Sequence, residues 1–249
     1  MFKNYVWDWG MFLEPVSTGE PTNYLGWLLD GFYNTVILSV LAIALALVIG
    51  SVMGVLRTMP NRALSSLGAV YVSVFRNVPL IVQLFIWYFV VPEILPSGLG
   101  DWFKQLSSFT QMMGSAVVCL ALYTGARFCE QIRSGINTLP IGQRSAALAL
   151  GLTLPQAYRY VILPVAFRVI IPPLTSDFTG VFKNSAVAST IGLLELSAQS
   201  QQLVDYTAHA YESFIAATAI YIVINWIVMA SMRWVEASTR LPGFIGGKS

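Results

Sequence analysis

The sequence predicts an all-α fold, namely a polytopic membrane helix bundle with five transmembrane helices. Hydrophobic residues fill 56% of its 249 positions and charged residues only 10%, whereas charged residues approach a quarter of an ordinary soluble domain. No charged residue interrupts residues 31–56, 105–126 or 213–232. Each of these runs reaches the ~20 residues that an α-helix needs to cross about 30 Å of hydrocarbon. Composition alone therefore predicts three helical spans.

Two weaker runs raise the expected number of spans to five. Residues 77–92 are uncharged but short for a membrane span. Residues 165–190 are apolar but contain three ionisable side chains, those of Arg168, Asp177 and Lys183. The ends of these second and fourth spans are the least well defined by the sequence pattern.

Short sequence signals indicate how the spans pack and connect. In the first span, Gly50 and Gly54 lie four residues apart, and this spacing of small residues permits close approach of another helix in lipid. Pro79 cannot donate a backbone hydrogen bond to the preceding helical turn, so we expect a bend near Arg76. Residues 93–110 are rich in turn-forming residues and are expected to form a short outer loop.

Positive charge is distributed unevenly between the predicted loops. Eleven of the fourteen basic residues lie in residues 57–76, in residues 127–168 or after residue 232. Because Lys and Arg resist translocation, we expect this side to face the cytoplasm, with the N-terminus outside and the C-terminus inside. The net charge of +2 then reflects topology. No nucleic-acid partner is expected, because the basic residues do not cluster on one soluble face.

The segment between the third and fourth spans is predicted to be a cytoplasmic docking site for a soluble partner, over about residues 145–164. Residues 143–151 are mostly good helix formers, and Gly151 can end a helix because it readily adopts a positive φ. Small side chains before it give a thin helix surface that fits a groove of a partner protein. The residues of this pattern are Ser145, Ala146, Ala147, Gly151, Leu163 and Pro164. The alternative is an ordinary loop helix that lies on its own bundle.

The spacing of these residues resembles a cytoplasmic loop written E-A-A-x3-G-x9-I-x-L-P, by which permease subunits of bacterial ABC importers contact their ATPases. Ser145 replaces the acidic residue of that pattern and Val161 replaces its isoleucine. The other anchor positions keep both residue and spacing. Residues 75–83, 146–164 and 182–189 are also similar to the polar amino-acid uptake subfamily and, within it, to glutamate/aspartate permeases.

The resemblance implies a permease subunit of an ATP-driven importer in the bacterial inner membrane, which carries a polar amino acid, glutamate or aspartate. It implies three kinds of partner: a second permease, two ATP-binding subunits and a periplasmic solute-binding protein. The second permease is expected to be a similar but distinct chain, so that the two form a heterodimer. Residues 1–249 are then a single transmembrane permease domain in the lipid bilayer.

The fourth span carries the residues that are expected to line the solute path. Ionisable groups at membrane depth are costly and usually face a cavity or the bundle interior. A zwitterion that leaves water needs partners for its charged groups. We expect Asp177 to meet the ammonium and both Lys183 and Asn184 to meet carboxylate oxygens, with Ser185 on the same path. The alternatives are a lysine at the membrane interface and a structural hydrogen bond of the aspartate.

No catalytic or metal site is expected, so the chain is predicted to be a non-catalytic subunit without a cofactor. The single histidine, His209, is expected to be an ordinary loop residue and leaves metal-ligand patterns unfilled. Residues 242–249 approach the phosphate-binding pattern G-x4-G-K-S, but Pro242 occupies the position of its first glycine. ATP hydrolysis is therefore assigned to a separate subunit. The rival function class is a stand-alone channel or secondary carrier, which needs its own gating or ion-coupling residues.

Overall fold

The computed structural model describes residues 5–239, and helices make up nearly all regular structure in that range. Short turns of 3₁₀-helix (Gly10–Leu13, Ser185–Ile191) and of π-helix (Ile86–Val90, Tyr158–Ile162) extend or join the α-helices. The all-α prediction is therefore confirmed. The residues after 239, among them the glycine-rich tail 242–249, lie outside the described residues. In chain order the α-helices are α1 (Tyr24–Leu56), α2 (Arg62–Asn77), α3 (Leu80–Phe85), α4 (Val91–Ile94), α5 (Ser97–Gln105), α6 (Ser108–Asn137), α7 (Ile141–Ala149), α8 (Leu154–Ala157), α9 (Leu163–Asn184), α10 (Leu196–Thr207) and α11 (Ala210–Thr239).

Four helical segments are long and apolar enough to cross a membrane, namely α1, α6, the segment Leu154–Ile191 and α11. A fifth span results if α2 and the helical stretch Leu80–Ile94 are counted together, although the chain bends by 104° between them. The part of the chain that the structure describes thus holds four such spans, or five with the broken one. This confirms the polytopic helical prediction. Which side of the membrane each terminus faces stays a prediction.

Helix α1 begins at Tyr24, earlier than the uncharged run that predicted it. The Oδ1 atom of Asn23 accepts the backbone N–H of Gly26 at 2.8 Å, which is the way in which a short polar side chain caps a helix. The carboxylate of Glu20 accepts the indole N–H of Trp27 at 3.0 Å. These polar anchors extend the helix beyond its apolar stretch, so composition alone does not reveal its start.

The bend predicted near Arg76 is present. Helix α2 ends at Asn77 and α3 begins at Leu80, with extended backbone at the two residues between them, one of which is Pro79. The residues before the bend form a separate helix, whose first turn is capped by the Asn61 side chain. They therefore do not lengthen the second span in a straight line.

The stretch expected to be an outer loop is largely helical, because α5 occupies half of it. The carbonyl of Pro96 accepts the N–H of Leu99 at 2.8 Å, and proline favours a helix start as readily as a turn. Gly100 is required for close packing, since a Cβ there would lie 2.6 Å from the carbonyl oxygen of Pro92. The loop expectation for residues 93–110 is therefore wrong.

The described residues pack as two compact units. The first contains the residues up to Ala42 together with Pro79–Leu120 and Val181–Asn225. The second contains Ile43–Val78, Ala121–Gly180 and the residues from Trp226 onward. The single-domain interpretation of residues 1–249 stays a prediction.

Small residues allow close helix packing within the second unit. A Cβ on Gly50 would lie 2.6 Å from the Cβ of Phe128, and one on Gly54 would lie 2.8 Å from the Cβ of Ile132. A side chain at either position would force its neighbours to move, so the close approach predicted for this glycine pair is confirmed. Phe128 and Ile132 belong to a buried apolar cluster that also includes Ile170 of α9.

Candidate functional site

The predicted docking segment consists of helix α7, a short connection and the start of the fourth helical segment. Four small residues recur on one face of α7 and are all exposed; we call this strip, Gly142, Ser145, Ala146 and Ala149, the docking face. Ala147 is rotated by about 100° from Ala146, as consecutive helical residues are, and is only 3% exposed. Ala147 therefore belongs to the packed side of α7, and not to the thin surface on which the sequence placed it.

Gly151 ends the α7 segment with a left-handed turn. Its φ is +86°, a value that glycine adopts without the strain that a Cβ causes. The Gly151 N–H donates to the carbonyl of Leu148 at 3.0 Å, and the Leu152 N–H donates to the carbonyl of Ala147 at 3.2 Å. These two bonds form a Schellman motif, which satisfies carbonyls at the end of a helix. The turn leaves Leu150, which is 84% exposed, beside the docking face.

A second helix begins directly after this turn. Gln156 Oε1 accepts the Thr153 N–H at 2.8 Å, as in the capping arrangement found at helix starts. The helix continues through a π turn into α9, so Leu163 and Pro164 lie inside a long helical segment. The predicted loop is thus confined to the connection between α7 and α8. Pro164 is tolerated because the π turn before it already alters the hydrogen-bond pattern that proline disrupts.

Tyr158 joins this segment to the residues that follow α1. Its hydroxyl donates to the backbone carbonyl of Thr58 at 2.9 Å and lies 3.1 Å from the Thr58 hydroxyl. Tyr158 also lines a cavity of about 290 Å³ together with Gln143 and Arg144 of α7. Residues of helix α7 therefore line the same cavity as buried core residues of its unit.

The structure gives Asp177 a protein partner. Its Oδ1 atom accepts the Nε–H of Arg127 at 2.6 Å, while its side chain is only 1% exposed and that of Arg127 is 50% exposed. Asp177 is therefore not free to meet a solute ammonium, because a buried carboxylate needs a counter-charge and Arg127 supplies it. Sequence reasoning counted Arg127 only among the inner-side cations. The signal it passed over is the position of Arg127 directly after the uncharged run of a span.

The other residues predicted to line the solute path have different surroundings. Lys183 is exposed and Asn184 is half-buried. Ser185 is fully buried, and its hydroxyl donates to the carbonyl of Phe182 at 2.8 Å. Asp177 and Lys183 are six residues apart, about 240° around a helix, so they project from different sides of α9. Lys183 and Asn184 remain accessible, whereas Asp177 and Ser185 do not.

A buried polar cluster that sequence reasoning missed surrounds Glu195. This side chain is fully buried, its Oε1 atom accepts the Ala198 N–H at 2.8 Å, and its Oε2 atom accepts the Tyr221 hydroxyl at 2.8 Å. The hydroxyl oxygen of Thr35 accepts the N–H of Leu196 at 3.1 Å. The Glu195 carboxylate thus caps α10 and also contacts side chains of α1 and α11. The leucines next to Glu195 in the sequence were the one signal that could have indicated the burial of its side chain.

His209 lies among polar groups of the N-terminal segment and α11. Its Nδ1 atom is 3.4 Å from the Tyr5 hydroxyl and 3.8 Å from Glu212 Oε1. The Tyr5 hydroxyl donates to Glu212 Oε2 at 2.5 Å, and this hydrogen bond raises the pKa of Tyr5 to about 12. Within residues 5–239, the structure shows no group of three or more His, Cys, Asp or Glu side chains that could hold a metal ion.

The helical spans and their short connections define the class of this chain, a multi-pass helical membrane protein. The model of one family, described as the binding-protein-dependent transport system inner membrane component, matches residues 46–241. The chain belongs to this family. It is therefore an inner-membrane component of a binding-protein-dependent transport system, which confirms the resemblance to ABC importer permeases.

Relatives that carry permease names cover most of the chain. The glutamate/aspartate import permease protein GltJ of Escherichia coli strain K12 is 55% identical over 243 residues, which are 97% of this chain and 98% of GltJ. The probable glutamine ABC transporter permease protein GlnM of Bacillus subtilis strain 168 is 33% identical, over 84% of this chain and 91% of GlnM. The chain is thus similar over its length to permeases named for polar amino acids.

Solved structures agree with this assignment. A crystal structure of an amino acid ABC transporter with histidines covers 86% of this chain and 95% of its own, with a TM-score of 0.70 and 28% identity. An inward-facing conformation of the MetNI methionine ABC transporter covers 90% of this chain with a TM-score of 0.73, but its 20% identity supports the fold alone.

Proposed function

We propose that this chain is the permease subunit of an ATP-driven importer of glutamate and aspartate. The observation that carries the proposal is its 55% identity with a glutamate/aspartate import permease over 97% of this chain. Such identity over nearly the whole of both chains favours the same solute as well as the same fold. The subunit itself is proposed to be non-catalytic, and ATP hydrolysis takes place in separate ATP-binding subunits.

The importer is proposed to contain two permeases, two ATP-binding subunits and a periplasmic solute-binding protein. A second permease is proposed because the four or five spans of the described residues enclose little of a path by themselves. This second permease is proposed to be a similar but distinct chain. The N-terminus lies outside and the C-terminus inside, because Lys and Arg concentrate in the loops that this orientation leaves in the cytoplasm. The same orientation puts α7 on the side where ATP is available.

The docking face is proposed to contact an ATP-binding subunit. Ser145 and Ala146 are exposed on it, and Leu148 and Leu150, which are 41% and 84% exposed, supply apolar area beside it. A thin helix with apolar edges suits insertion into a groove. Gly151 ends this helix through its left-handed turn, and Leu163 and Pro164 lie at the start of α9; the part that these three residues play in docking stays a prediction.

The solute path is proposed to pass the accessible residues at the end of α9. Lys183 meets a carboxylate of the solute and Asn184 a second oxygen, because charged groups that leave water need partners. Asp177 acts only through Arg127. The hydroxyl of Ser185 stabilises the helix end by its bond to Phe182 and does not touch the solute.

Uptake of radiolabelled glutamate into vesicles tests the proposal. The complex is purified through this chain with its co-purifying subunits, reconstituted, and supplied with the binding protein on the outside and ATP on the inside. We expect uptake of glutamate and aspartate that stops when ATP or the binding protein is omitted. Uptake driven by an ion gradient without ATP would instead identify a secondary carrier. A native mass with two identical permeases contradicts only the heterodimer.

A further inference from the structure

The ion pair between Arg127 and Asp177 engages only one N–H donor of the Arg127 guanidinium. A guanidinium carries five N–H donors in a planar fork, and Asp177 engages Arg127 through Nε alone. The second carboxylate oxygen of Asp177, Oδ2, is buried and has no hydrogen-bond partner among the described residues. Bidentate Arg–carboxylate pairs bring both oxygens against the fork, and the Arg127–Asp177 pair does not.

Arg133, on the same helix α6, shows the contrasting arrangement. Its Nε and Nη2 atoms both donate to Glu130 Oε2, at 3.2 and 3.0 Å, and 38% of its side chain is exposed. Glu130 also pairs with Arg57. The fork of Arg133 is therefore engaged by protein, whereas the Nη groups of Arg127 are not held by the carboxylate that anchors it.

The exposed half of Arg127 needs a polar environment. It belongs to a helix long and apolar enough to cross the membrane, and a charged group is not stable against hydrocarbon, so such residues face water-filled cavities or other polar groups. The Tyr123 side chain also interacts with this guanidinium, and a phenol hydroxyl can donate to the same anion. The guanidinium and the phenol hydroxyl together thus offer several donors to an anion.

We propose that Arg127 binds a carboxylate of the acidic amino acid as it passes through the permease, with Asp177 as the positioning residue that holds the guanidinium. This inference rests on the proposed function as an importer of glutamate and aspartate. The Nη groups form a bidentate pair with the solute carboxylate, a geometry that a lysine does not reproduce. Arg127 then distinguishes glutamate from glutamine, whose amide offers a neutral acceptor.

The test measures solute binding to the purified complex of permeases and ATP-binding subunits, without the solute-binding protein. The rise of Tm with L-glutamate or L-glutamine concentration gives the two affinities, because a ligand that binds the folded state stabilises it. We expect the parental complex to favour glutamate. The neutral double variant Arg127→Met/Asp177→Asn avoids a buried unpaired charge and should bind glutamate at least ~10-fold more weakly, with glutamine binding unchanged.

Two further variants keep the inference testable. Arg133→Met, the matched control on α6, should leave both affinities at the parental level. The swapped pair Arg127→Asp/Asp177→Arg should restore the ion pair and the parental Tm but not the glutamate affinity. A parental complex without a glutamate-dependent Tm shift, equal loss of both affinities in the neutral variant, or recovery of glutamate binding in the swapped pair would each overturn the inference. Absence of glutamate uptake by the parental importer in vesicles would instead contradict the proposed function.

Discussion

Two left-handed glycine turns bound the fourth helical segment, one at Gly151 before it and one at Gly192 after it. Their φ values are +86° and +89°. Both close with the same hydrogen bonds: the glycine N–H donates to the carbonyl three residues earlier at 3.0 Å, and the next N–H donates to the carbonyl five residues earlier at 3.2 Å. The backbone is thus the same in both places.

The surroundings of the two turns differ. Thr153, which starts the helix after Gly151, is exposed, whereas Glu195, which starts the helix after Gly192, is fully buried. A Cβ on Gly151 would meet nothing within 4 Å, while one on Gly192 would lie 3.4 Å from the sulfur of Met112. The same local motif therefore ends a surface helix in one unit and introduces a buried anchor in the other. Burial, and not the motif, decides which role a turn takes.

The largest effect on transport is expected on the docking face, which precedes the exposed turn at Gly151. Ala146→Trp should lower ATP-dependent uptake by about tenfold or more, because a groove that accepts small side chains does not admit an indole ring. The subunit should remain inserted with unchanged Tm, since Ala146 is exposed. Ala237→Trp, at an exposed alanine of α11, is the matched control and should transport normally. Normal uptake by the Ala146 variant would remove the docking face from the mechanism.

The largest effect on the free energy of unfolding is expected at Glu195, the buried residue that starts α10. Glu195→Ala is expected to lower the free energy of unfolding by about 3 kcal/mol, because it leaves the Tyr221 hydroxyl and the first N–H groups of α10 without an acceptor. Thr153→Ala at the exposed turn should cost about 1 kcal/mol or less. Thermal unfolding of the purified complex measures both, and Glu195→Gln, which keeps an acceptor oxygen, should lie between them. Equal losses for the two alanine variants would show that the turns do not differ.

The smallest difference between the two turns is expected for substitution of the glycines themselves. Gly151→Ala and Gly192→Ala each place a Cβ in the left-handed region, which costs roughly 1–2 kcal/mol. Neither new Cβ would clash with a neighbour, so the two losses in unfolding free energy should agree within about 0.5 kcal/mol. A clearly larger loss at Gly192 would mean that its packing against Met112 is tighter than the contact distance indicates.

Local requirements explain which features the sequence predicts. A span needs only length and an absence of charge, so the apolar runs identify the long helices directly. The turn at Gly151 and the bend at Pro79 depend on the backbone properties of one residue each. The close packing at Gly50 and Gly54 depends on the absence of side chains. Each of these features can be inferred from a few adjacent residues.

The contacts that sequence analysis missed join residues far apart in the chain. Asp177 and Arg127 are 50 positions apart, and Thr35 and Glu195 are 160 positions apart. A single sequence carries no signal that pairs such residues, so Asp177 was assigned to solute and the cluster around Glu195 was missed. Helix α5 was missed for another reason, since proline favours helix starts as well as turns.

The small side chains of the docking face affect the free energy of binding a partner. Gly142, Ala146 and Ala149 have no side-chain rotamers, and the Ser145 hydroxyl is the one group on the strip that rotates. Immobilising a long flexible side chain costs up to about 2 kcal/mol in lost rotamer freedom, whereas glycine and alanine lose none. The ATP-binding subunit that is proposed to contact this strip would therefore restrict almost no side-chain motion on binding. The free energy of binding would then depend mainly on the position of the α7 backbone.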